Sequence, residues 1–324
     1  MKVAIIGCGG MGAVHARVAS LAGFRVVACG DVIRAKAESL ANRIGAEATD
    51  DCLGLIRKEG IDIVAITTPT PQHVPFVIAA AEAGKHVFCE KPLGRTVEEC
   101  QEAVRVAQKH RVKLYVGHVV RFFQEFERIR SVVLSGRIGK VGFVKTYRGG
   151  IFPRGEGLWF RDYAQSGGVT LDTIIHDFDW IRYMWGDPKR VFCQALLRGD
   201  IIDYSLVTLR MKNDVLAHVI GTWAHPGGFR VKVEVCGDKG MVGYDSNEAP
   251  IESMKRESAG GQPGMIVPGS PVPVSPYQLE WEDFRAWLEG KTSPRVTAED
   301  AVWAVKISLA ALESAKTKEP VVFN

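Results

Sequence analysis

Hydrophobic residues in the first part of the chain form short continuous runs, and segments with helical spacing separate these runs. The runs lie at residues 2–6, 25–29, 61–67 and 86–89. Strands of a parallel sheet are buried on both faces and so read as continuous apolar runs, and helices connect them. The pattern therefore predicts an α/β domain with a doubly wound parallel sheet.

Later in the chain, apolar and polar residues alternate instead. The alternating segments lie at residues 141–148, 190–197, 203–211, 216–223 and 230–236. A period of two is typical of strands with one buried and one exposed face, and hairpin signals join neighbouring segments. We therefore predict a C-terminal α+β domain with a large, open and mostly antiparallel sheet, and domains of residues 1–121 and 122–324. Residues 246–276, rich in Gly, Pro and Ser, are predicted to form a long loop.

Composition and charge are those of an ordinary globular protein. The 324 residues are 46% hydrophobic and 24% charged, with a formal net charge of +4. The basic residues are scattered, which argues against nucleic acid as a partner. No stretch approaches the roughly 20 apolar residues of a membrane span, and the first apolar run is too short for a signal peptide. Seven cysteines without a C-x-x-C pair indicate reduced thiols, so we expect a cytoplasmic protein without a metal site.

A glycine-rich turn follows the first apolar run. Gly7, Gly9 and Gly12 have G-x-G-x-x-G spacing and precede a helical pattern. Such glycines permit a tight bend, a close approach of the backbone to a pyrophosphate, and close packing of helix on strand. Asp31 follows the second run, where a carboxylate can bind ribose hydroxyls and repel a 2'-phosphate; capping the next helix is its alternative role. We predict a dinucleotide site that prefers NAD, with NADP possible because Arg34 lies close by.

The stretch VFCEKPL, residues 87–93, ends the fourth run with charged side chains. Open α/β sheets bind ligands beyond the carboxyl ends of their strands, so Lys91 is a candidate for chemistry. Pro92 restricts the backbone of this lysine and could aim its side chain. On composition alone, a solvated lysine in a loop is the more frequent case.

A helical pattern at residues 167–186 interrupts the alternating segments. Asp172 and His176 lie four positions apart, which would place both side chains on one face of a helix. An aspartate and a histidine placed in this way can aim at one point; a core histidine satisfied by a neighbour is the alternative. One His and one Asp are too few ligands for a zinc site.

Together these motifs resemble those of a known family. G-x-G-x-x-G, the turn TTPTPQH, the EKP triplet and the helix G-G-x-x-x-D-x-x-x-H are similar, in this order, to the glucose-fructose oxidoreductase and inositol dehydrogenase family, often called Gfo/Idh/MocA. The resemblance extends over nearly the whole chain and includes the late segment VTAEDAVWAVKISLAALESAK. It implies an N-terminal NAD(P)-binding Rossmann domain, followed by an α/β domain that carries the substrate side and often an oligomer interface.

The resemblance also implies roles for individual residues. It matches Lys91 to a catalytic lysine and Arg121 to an arginine near the substrate. Asp172 and His176 match the aspartate and histidine of the helix, and Thr173 would contact a substrate hydroxyl, as in inositol dehydrogenases. The residues implied to contact the nicotinamide cofactor are Gly7, Gly9, Gly12, Asp31, Thr68, His73 and Glu90.

These residue types suit the oxidation of a secondary alcohol by a nicotinamide cofactor. Histidine titrates near the operating pH, so we choose His176 as the base that takes the hydroxyl proton. Lys91 can hold the same oxygen and stabilise the developing alkoxide, and Asp172 would fix the hydroxyl or the imidazole. Trp159, in the segment before the helix, offers an aromatic face to a polyhydroxylated ring.

We therefore predict an NAD(P)-dependent sugar or polyol dehydrogenase of carbohydrate metabolism that acts on CH–OH groups. Its substrate would be an inositol (cyclitol) or an aldose, with a sugar acid or a deoxysugar nucleotide also open. An open sheet face rich in Val, Leu and Trp would leave a large apolar patch bare. We expect a homodimer or homotetramer through the C-terminal sheet.

Two other functions stay open on the sequence. The first is a non-catalytic protein of the same fold that senses a dinucleotide or binds a partner. The joint presence of Lys91, Asp172 and His176 argues against it. The second is a nicotinamide-using glycosidase, which would need a bound metal that no Cys–His cluster in the sequence suggests.

Overall fold

The computed structural model describes residues 1–153, 156–198, 201–248 and 274–323. It divides into two units, of which the first comprises Met1–Phe123 and a later segment that ends at Lys306. The second comprises the residues between these segments and those after Lys306. The division after Phe123 lies close to the boundary in the predicted domains, 1–121 and 122–324. The late segment differs from that scheme, because its side chains pack in the core of the first unit. The predicted loop at 246–276 lies almost entirely outside the described residues.

A six-stranded parallel sheet organises the first unit. Its strands are β1 (Lys2–Ile6), β2 (Arg25–Gly30), β3 (Glu47–Thr49), β4 (Ile63–Ile66), β5 (His86–Glu90) and β6 (Leu114–Gly117). They lie in the order β3-β2-β1-β4-β5-β6, and every neighbouring pair is parallel. This is the order of the doubly wound Rossmann fold, and it confirms the prediction. Because the order reverses between β1 and β4, their carboxyl ends flank the crevice in which such sheets bind ligands.

Five helices connect these strands in the described part of the unit. They are α1 (Gly10–Leu21), α2 (Arg34–Ile44), α3 (Cys52–Arg57), α4 (His73–Glu82) and α5 (Val97–Lys109). The start of α5 shows how the sequence sets a helix boundary. The Thr96 hydroxyl accepts a hydrogen bond from the Glu99 N–H, and the Glu99 carboxylate accepts one from the Thr96 N–H. This reciprocal cap satisfies two N–H groups that a helix otherwise leaves without partners.

A seven-stranded sheet organises the second unit. Its strands are β7 (Val141–Gly149), β8 (Pro188–Arg198), β9 (Ile201–Met211), β10 (Leu216–Thr222), β11 (Arg230–Gly237), β12 (Gly240–Asp245) and β13 (Val321–Val322). Their order is β12-β11-β7-β10-β9-β8-β13; the β7/β10 pair is parallel and the others are antiparallel. The predicted mostly antiparallel sheet is confirmed. Buried and partly exposed residues alternate along β10 and β11, so one face of the sheet is covered and the other is more open.

The helices of this unit, in its described part, include the segment predicted to carry catalytic groups. They are α6 (Gln124–Leu134), α7 (Tyr163–Ser166), α8 (Gly168–Asp172) and α9 (Ile175–Trp185). The pattern at residues 167–186 predicts one continuous helix, and this is wrong, because the helix breaks at Thr173 and Ile174. The Ile174 side chain occupies the space above Gly221 of β10, where an added Cβ would lie 2.5 Å from its Cγ2. Packing against the sheet thus sets the break, and Asp172 and His176 lie on different helices.

The late segment contributes α10 (Pro276–Leu288) and α11 (Ala298–Thr317). Helix α10 supplies aromatic rings to the core of the first unit. Trp281 stacks on Phe88 of β5, with ring centroids 4.5 Å apart and planes inclined by 5°, and Phe284 meets Phe88 edge-on. Burying each such ring contributes about 1.5–3 kcal/mol, which explains why this segment packs here. None of the helices described is long and apolar enough to cross a membrane.

Candidate active site

The glycine loop between β1 and α1 has the shape of a phosphate cradle. Gly7 has a φ of +95°, and a Cβ added to it would lie 2.7 Å from the Thr67 carbonyl carbon. A Cβ added to Gly12 would lie 2.1 Å from the Gly7 oxygen. At Gly9, by contrast, an added Cβ meets no atom within 4 Å, and the residue is exposed. The packing of the loop itself therefore requires Gly7 and Gly12, whereas Gly9 leaves the outer surface of the loop open to a ligand.

The same loop presents the start of α1. The N-cap is Gly9, which has no side chain to occupy the N–H groups of the first turn. These N–H groups and the positive end of the helix dipole favour an anion such as a pyrophosphate. The residues present thus fit a dinucleotide.

Asp31 joins this loop to the segment before α2. Its side chain is buried, and Oδ2 accepts a hydrogen bond from the Cys8 N–H at 2.8 Å. Oδ1 accepts one from the Ile33 N–H at 2.9 Å. These two bonds fix the turn between β2 and α2, but the N-cap of α2 is Ile33, so Asp31 does not have the alternative role of helix cap. Its predicted contact with a ribose stays a prediction.

Arg34, beside Asp31 in the sequence, is exposed and already paired. Its guanidinium lies 2.8 Å from the Glu38 carboxylate and 3.4 Å from the Asp50 carboxylate. A 2'-phosphate would have to compete with both carboxylates for this arginine. Because exposed ion pairs of this kind are weak, a contact of Arg34 with a 2'-phosphate stays a prediction.

The turn after β4 contains a buried hydroxyl that suits a ligand. The Thr67 hydroxyl donates to the Gly7 carbonyl oxygen at 2.6 Å and so ties this turn to the glycine loop. The Thr68 hydroxyl is buried and has no hydrogen-bond partner among the described residues. Such an atom costs free energy unless a ligand or a water satisfies it. This placement is compatible with the predicted cofactor contact of Thr68.

His73 is buried between this turn and the EKP turn. One ring nitrogen lies 2.8 Å from the Thr68 carbonyl oxygen, and the other lies 2.7 Å from the Pro92 carbonyl oxygen. Burial lowers the pKa of His73, and its hydrogen bonds to the two carbonyls only partly oppose this effect. The ring therefore braces one turn against the other. Its predicted contact with the cofactor stays a prediction.

The EKP turn follows β5, as the sequence predicts. Lys91 is partly exposed, and the Lys91–Pro92 peptide bond is cis. Glu90 is buried, with Oε1 2.7 Å from Nε2 of His15 and Oε2 accepting the Lys91 N–H at 3.1 Å. Burial alone would raise the pKa of Glu90, but its hydrogen bond with His15 and the charge of Lys91 lower it. The carboxylate is thus ionised and bound inside the protein, and its predicted cofactor contact stays a prediction.

Sequence reasoning missed His15. It lies on α1 and is fully buried. The other buried residues of α1 are small or apolar, namely Gly12, Ala16, Val18 and Ala19. A single polar residue on an otherwise apolar helix face was the available signal, because such a residue needs a buried partner.

In the second unit, Asp172 and Thr173 lie where α8 ends. The Thr173 hydroxyl donates to the Asp172 carboxylate at 3.2 Å and accepts a hydrogen bond from the Trp223 indole N–H at 2.8 Å. Thr173 and Trp223 are both buried. Because the Thr173 hydroxyl donates its proton to Asp172, Thr173 orients that carboxylate. Its predicted contact with a substrate hydroxyl stays a prediction.

His176 lies in the first turn of α9, beside an ion pair that the sequence did not predict. Arg148 of β7 donates to both oxygens of Asp177, at 2.7 Å and 3.4 Å, and both side chains are buried. Removing one partner of such a pair leaves a buried charge uncompensated, so the pair holds the start of α9 on the sheet. His176 itself is partly exposed, with its Nδ1 atom buried.

Arg121 lies in a 3-10 helix, Val119–Phe122, and is almost completely buried. Its guanidinium donates to the Arg295 carbonyl oxygen at 2.7 Å and to the Asp300 carboxylate at 3.1 Å. The charge of Arg121 helps to lower the pKa of Asp300, against the effect of burial. Within the first unit, Arg121 therefore ties the chain after β6 to the start of α11. Its predicted contact with the substrate stays a prediction.

Trp159 belongs to an aromatic cluster of the second unit. Its ring centroid lies 3.9 Å from that of Phe160, which packs with Val169 and Trp223. The cluster thus supports the indole that binds Thr173. The predicted contact of Trp159 with the substrate stays a prediction.

The structure brings the predicted residues together within each unit. In the first, the glycine loop, Asp31, Thr68 and the EKP turn all follow the carboxyl ends of parallel strands. In the second, Asp172, Thr173 and His176 flank one helix break. Within the described ranges, no group of three or more His, Cys, Asp or Glu side chains could hold a metal ion.

Two family models match the chain. The oxidoreductase family with an NAD-binding Rossmann fold matches residues 1–118, and the GFO/IDH/MocA C-terminal domain matches residues 126–243. The inositol 2-dehydrogenase of Rhizobium meliloti (strain 1021) is 30% identical, over 99% of this chain and 98% of its own length. The scyllo-inositol 2-dehydrogenase (NAD(+)) of Bacillus subtilis (strain 168) is 29% identical, over 99% of this chain and 96% of its own.

A solved structure agrees with these relatives. The structure of scyllo-inositol dehydrogenase from Lactobacillus casei with bound NAD(H) and scyllo-inositol has a TM-score of 0.82 and is 25% identical, covering 99% of this chain and 98% of that one. The two family models together span more than half of the sequence, in the order of the two sheets. The chain therefore belongs to the Gfo/Idh/MocA family of oxidoreductases and is an NAD-dependent dehydrogenase.

Proposed function

We propose that the protein oxidises a secondary alcohol of a cyclitol, with an inositol as the preferred substrate. The observation that carries this proposal is the set formed by Asp172, Thr173 and Trp223 at the helix break beside His176. A carboxylate held in place by a buried hydroxyl suits the recognition of a substrate hydroxyl at a defined position. The relatives named as inositol dehydrogenases support the choice of a cyclitol over an aldose.

Three side chains have proposed roles in the reaction. NAD, when bound, supplies the hydride acceptor. His176 takes the proton of the reacting hydroxyl, and because its Nδ1 atom is buried, Nε2 is the proposed base. Lys91 donates a charged hydrogen bond to the reacting oxygen and stabilises the developing alkoxide, while Asp172 accepts a hydrogen bond from a substrate hydroxyl.

Cofactor binding is proposed to rest on the first unit. The N–H groups at the start of α1, exposed beside Gly9, bind the pyrophosphate. Asp31 contacts the ribose of the adenosine half, and the buried Thr68 hydroxyl binds a second polar group of NAD.

The open face of the second sheet is proposed to form a homodimer or homotetramer interface. Leu196, Tyr204 and Leu206 are 63%, 40% and 42% exposed on the adjacent strands β8 and β9. Tyr204 pairs in register with Leu196, so these side chains form a continuous apolar patch. Sedimentation of the wild type should show a dimer or tetramer that Leu206→Glu weakens; a wild-type monomer would contradict the proposal.

The proposed location is the cytoplasm. All seven cysteines are free thiols, and six of them are buried. Unpaired thiols are typical of a reducing compartment. Fractionation of the source cells would test this proposal, and recovery of the protein with the secreted fraction would contradict it.

A substrate panel tests the proposed reaction. Initial rates would be followed by nicotinamide absorbance with myo-inositol, scyllo-inositol, glucose, xylose and gluconate, each with NAD and with NADP. We expect the highest kcat/KM for an inositol with NAD. A preference for an aldose or a sugar acid would overturn the substrate class, and binding of NADH without turnover across the panel would favour a sensing function.

A further inference from the structure

His15 lies at the centre of a buried chain of hydrogen bonds behind the EKP turn. Its Nδ1 lies 2.9 Å from the Trp281 indole nitrogen, and its Nε2 lies 2.7 Å from Oε1 of Glu90. The ring is fully buried and packs against Phe88, with centroids 5.0 Å apart. The chain of bonds thus joins α10, α1 and β5 of the first unit.

The partners of His15 determine its tautomer. An indole N–H can only donate, so Nδ1 of His15 must carry the lone pair and accept. The ring proton then lies on Nε2 and is donated to the Glu90 carboxylate. A neutral imidazole satisfies both partners, whereas a protonated ring would leave the indole N–H facing another N–H.

Glu90 transmits this arrangement to Lys91. One carboxylate oxygen is held by His15, and the other accepts the backbone N–H of Lys91. Besides His15, three titratable side chains interact electrostatically with Glu90. They are His73 of α4, Cys89 on the same strand as Glu90, and Lys91. Burial opposes the ionised form of Glu90, and the hydrogen bond from His15 is the largest of the contacts that favour it.

We infer that His15 is a positioning residue for the proposed catalytic lysine: through the Glu90 carboxylate, it holds the Lys91 backbone against α1. This inference rests on the proposed role of Lys91. Helix α1 also begins in the glycine loop that fits the pyrophosphate, so the same helix carries the cofactor cradle and the support of the EKP turn.

Two substitutions at position 15 separate positioning from packing. In His15→Gln the side-chain amide nitrogen reaches the place of Nε2 and can donate to Glu90. In His15→Asn the amide oxygen reaches the place of Nδ1 and can accept from Trp281, but nothing donates to Glu90. His110→Asn, at an exposed histidine that ends α5, is the control for histidine loss.

The kinetic test compares pH profiles of kcat/KM with NAD and the best cyclitol. We expect His15→Asn to lower kcat/KM about tenfold at neutral pH, because a carboxylate loses a charge-assisted hydrogen bond. Its acid limb should move to higher pH, because the pKa of Glu90 rises when the carboxylate loses the hydrogen bond that lowers it. His15→Gln should restore most of the rate and the wild-type limb. Equal losses in both variants with an unchanged limb would reduce His15 to a packing residue and overturn the inference.

A spectroscopic test needs neither substrate nor turnover. In the ¹⁵N NMR spectrum of the protein without cofactor, the His15 ring should be neutral, with the proton on Nε2. Trp281→Phe, which keeps an aromatic ring on Phe88, should release Nδ1 and let the ring change tautomer. A wild-type proton on Nδ1 would contradict the proposed chain of bonds.

The failure of this inference is distinguishable from that of the Lys91 role. If Lys91→Ala abolishes turnover while His15→Asn keeps the wild-type rate and profile, only the inference about His15 fails. If Lys91→Ala retains full activity, the proposed role of Lys91 fails instead.

Discussion

Each unit supports a candidate catalytic side chain by a chain of three hydrogen-bonded side chains, called a device below. The chemistry of the two devices differs. In the first, Trp281 donates to His15, and His15 donates to Glu90, next to Lys91. In the second, Trp223 donates to Thr173, and Thr173 donates to Asp172. A buried indole begins each chain and a carboxylate ends it, so in both cases a group that can only donate sets the direction of the hydrogen bonds.

The difference lies in where the residues of each device come from in the sequence. His15, Glu90 and Trp281 lie far apart, whereas Thr173 is adjacent to Asp172. The first device therefore depends on the packing of distant segments. The second depends mainly on the helix break that places Thr173 under Trp223.

The largest expected effect comes from removing Lys91 or His176 themselves. We expect Lys91→Ala and His176→Ala each to lower kcat about a thousandfold, because each removes a group proposed to act on the reacting hydroxyl. Steady-state rates and NADH binding by fluorescence would be measured, with NADH affinity expected to change little. Lys109→Ala, at an exposed lysine of α5, is the control. Wild-type turnover in either active-site variant would refute the assigned role.

A smaller effect should come from Glu90, the carboxylate of the first device. The folded protein holds the pKa of Glu90 below its usual 4.5, so stabilisation by the ionised carboxylate is fully present above about pH 4.5 and is lost as the pH falls through the lower folded-state value. We expect Glu90→Gln to cost about 2 kcal/mol of unfolding free energy at pH 7. Urea unfolding at several pH values should show this difference shrinking below pH 4.5.

The control for this prediction is another glutamate in an ion pair. Glu102 pairs with Arg105 on the exposed surface of α5, so Glu102→Gln should change stability little at any pH. A constant stability difference for Glu90→Gln between pH 7 and pH 3 would show that Glu90 does not titrate as proposed.

The smallest expected effect concerns the hydroxyl of the second device. Thr173→Val preserves shape but leaves the Trp223 N–H and the Asp172 carboxylate without their shared partner. We expect kcat/KM to fall about tenfold, and Thr173→Ser to retain most of the activity.

A buried threonine of β7 offers a matched control. The Thr146 hydroxyl has no hydrogen-bond partner among the described residues, so Thr146→Val should leave kcat/KM nearly unchanged. If Thr173→Val behaves like Thr146→Val, the hydroxyl has no part in orienting Asp172.

Local patterns allowed much of the fold and of the candidate site to be predicted. The parallel strands follow from continuous apolar runs, and the glycine loop and Lys91 follow from motifs a few residues long. The prediction went wrong where a distant surface decides, as at Ile174, whose side chain packs on Gly221 of another strand. Similarly, the late segment around Trp281 joins the first unit because its rings stack in that core, which no local pattern records.

By itself, the sequence determined the strand types and the glycine loop that fits a dinucleotide, and it supplied the candidate residues for hydride transfer, because these depend on spacing and residue type within short segments. Only the tertiary structure decided which side chains hold those residues in place. His15 and Glu90 are 75 positions apart, and Trp281 lies still farther along the chain. Their hydrogen bonds exist because helices and strands bring the donors and acceptors together in a buried core, where each polar group must find a partner.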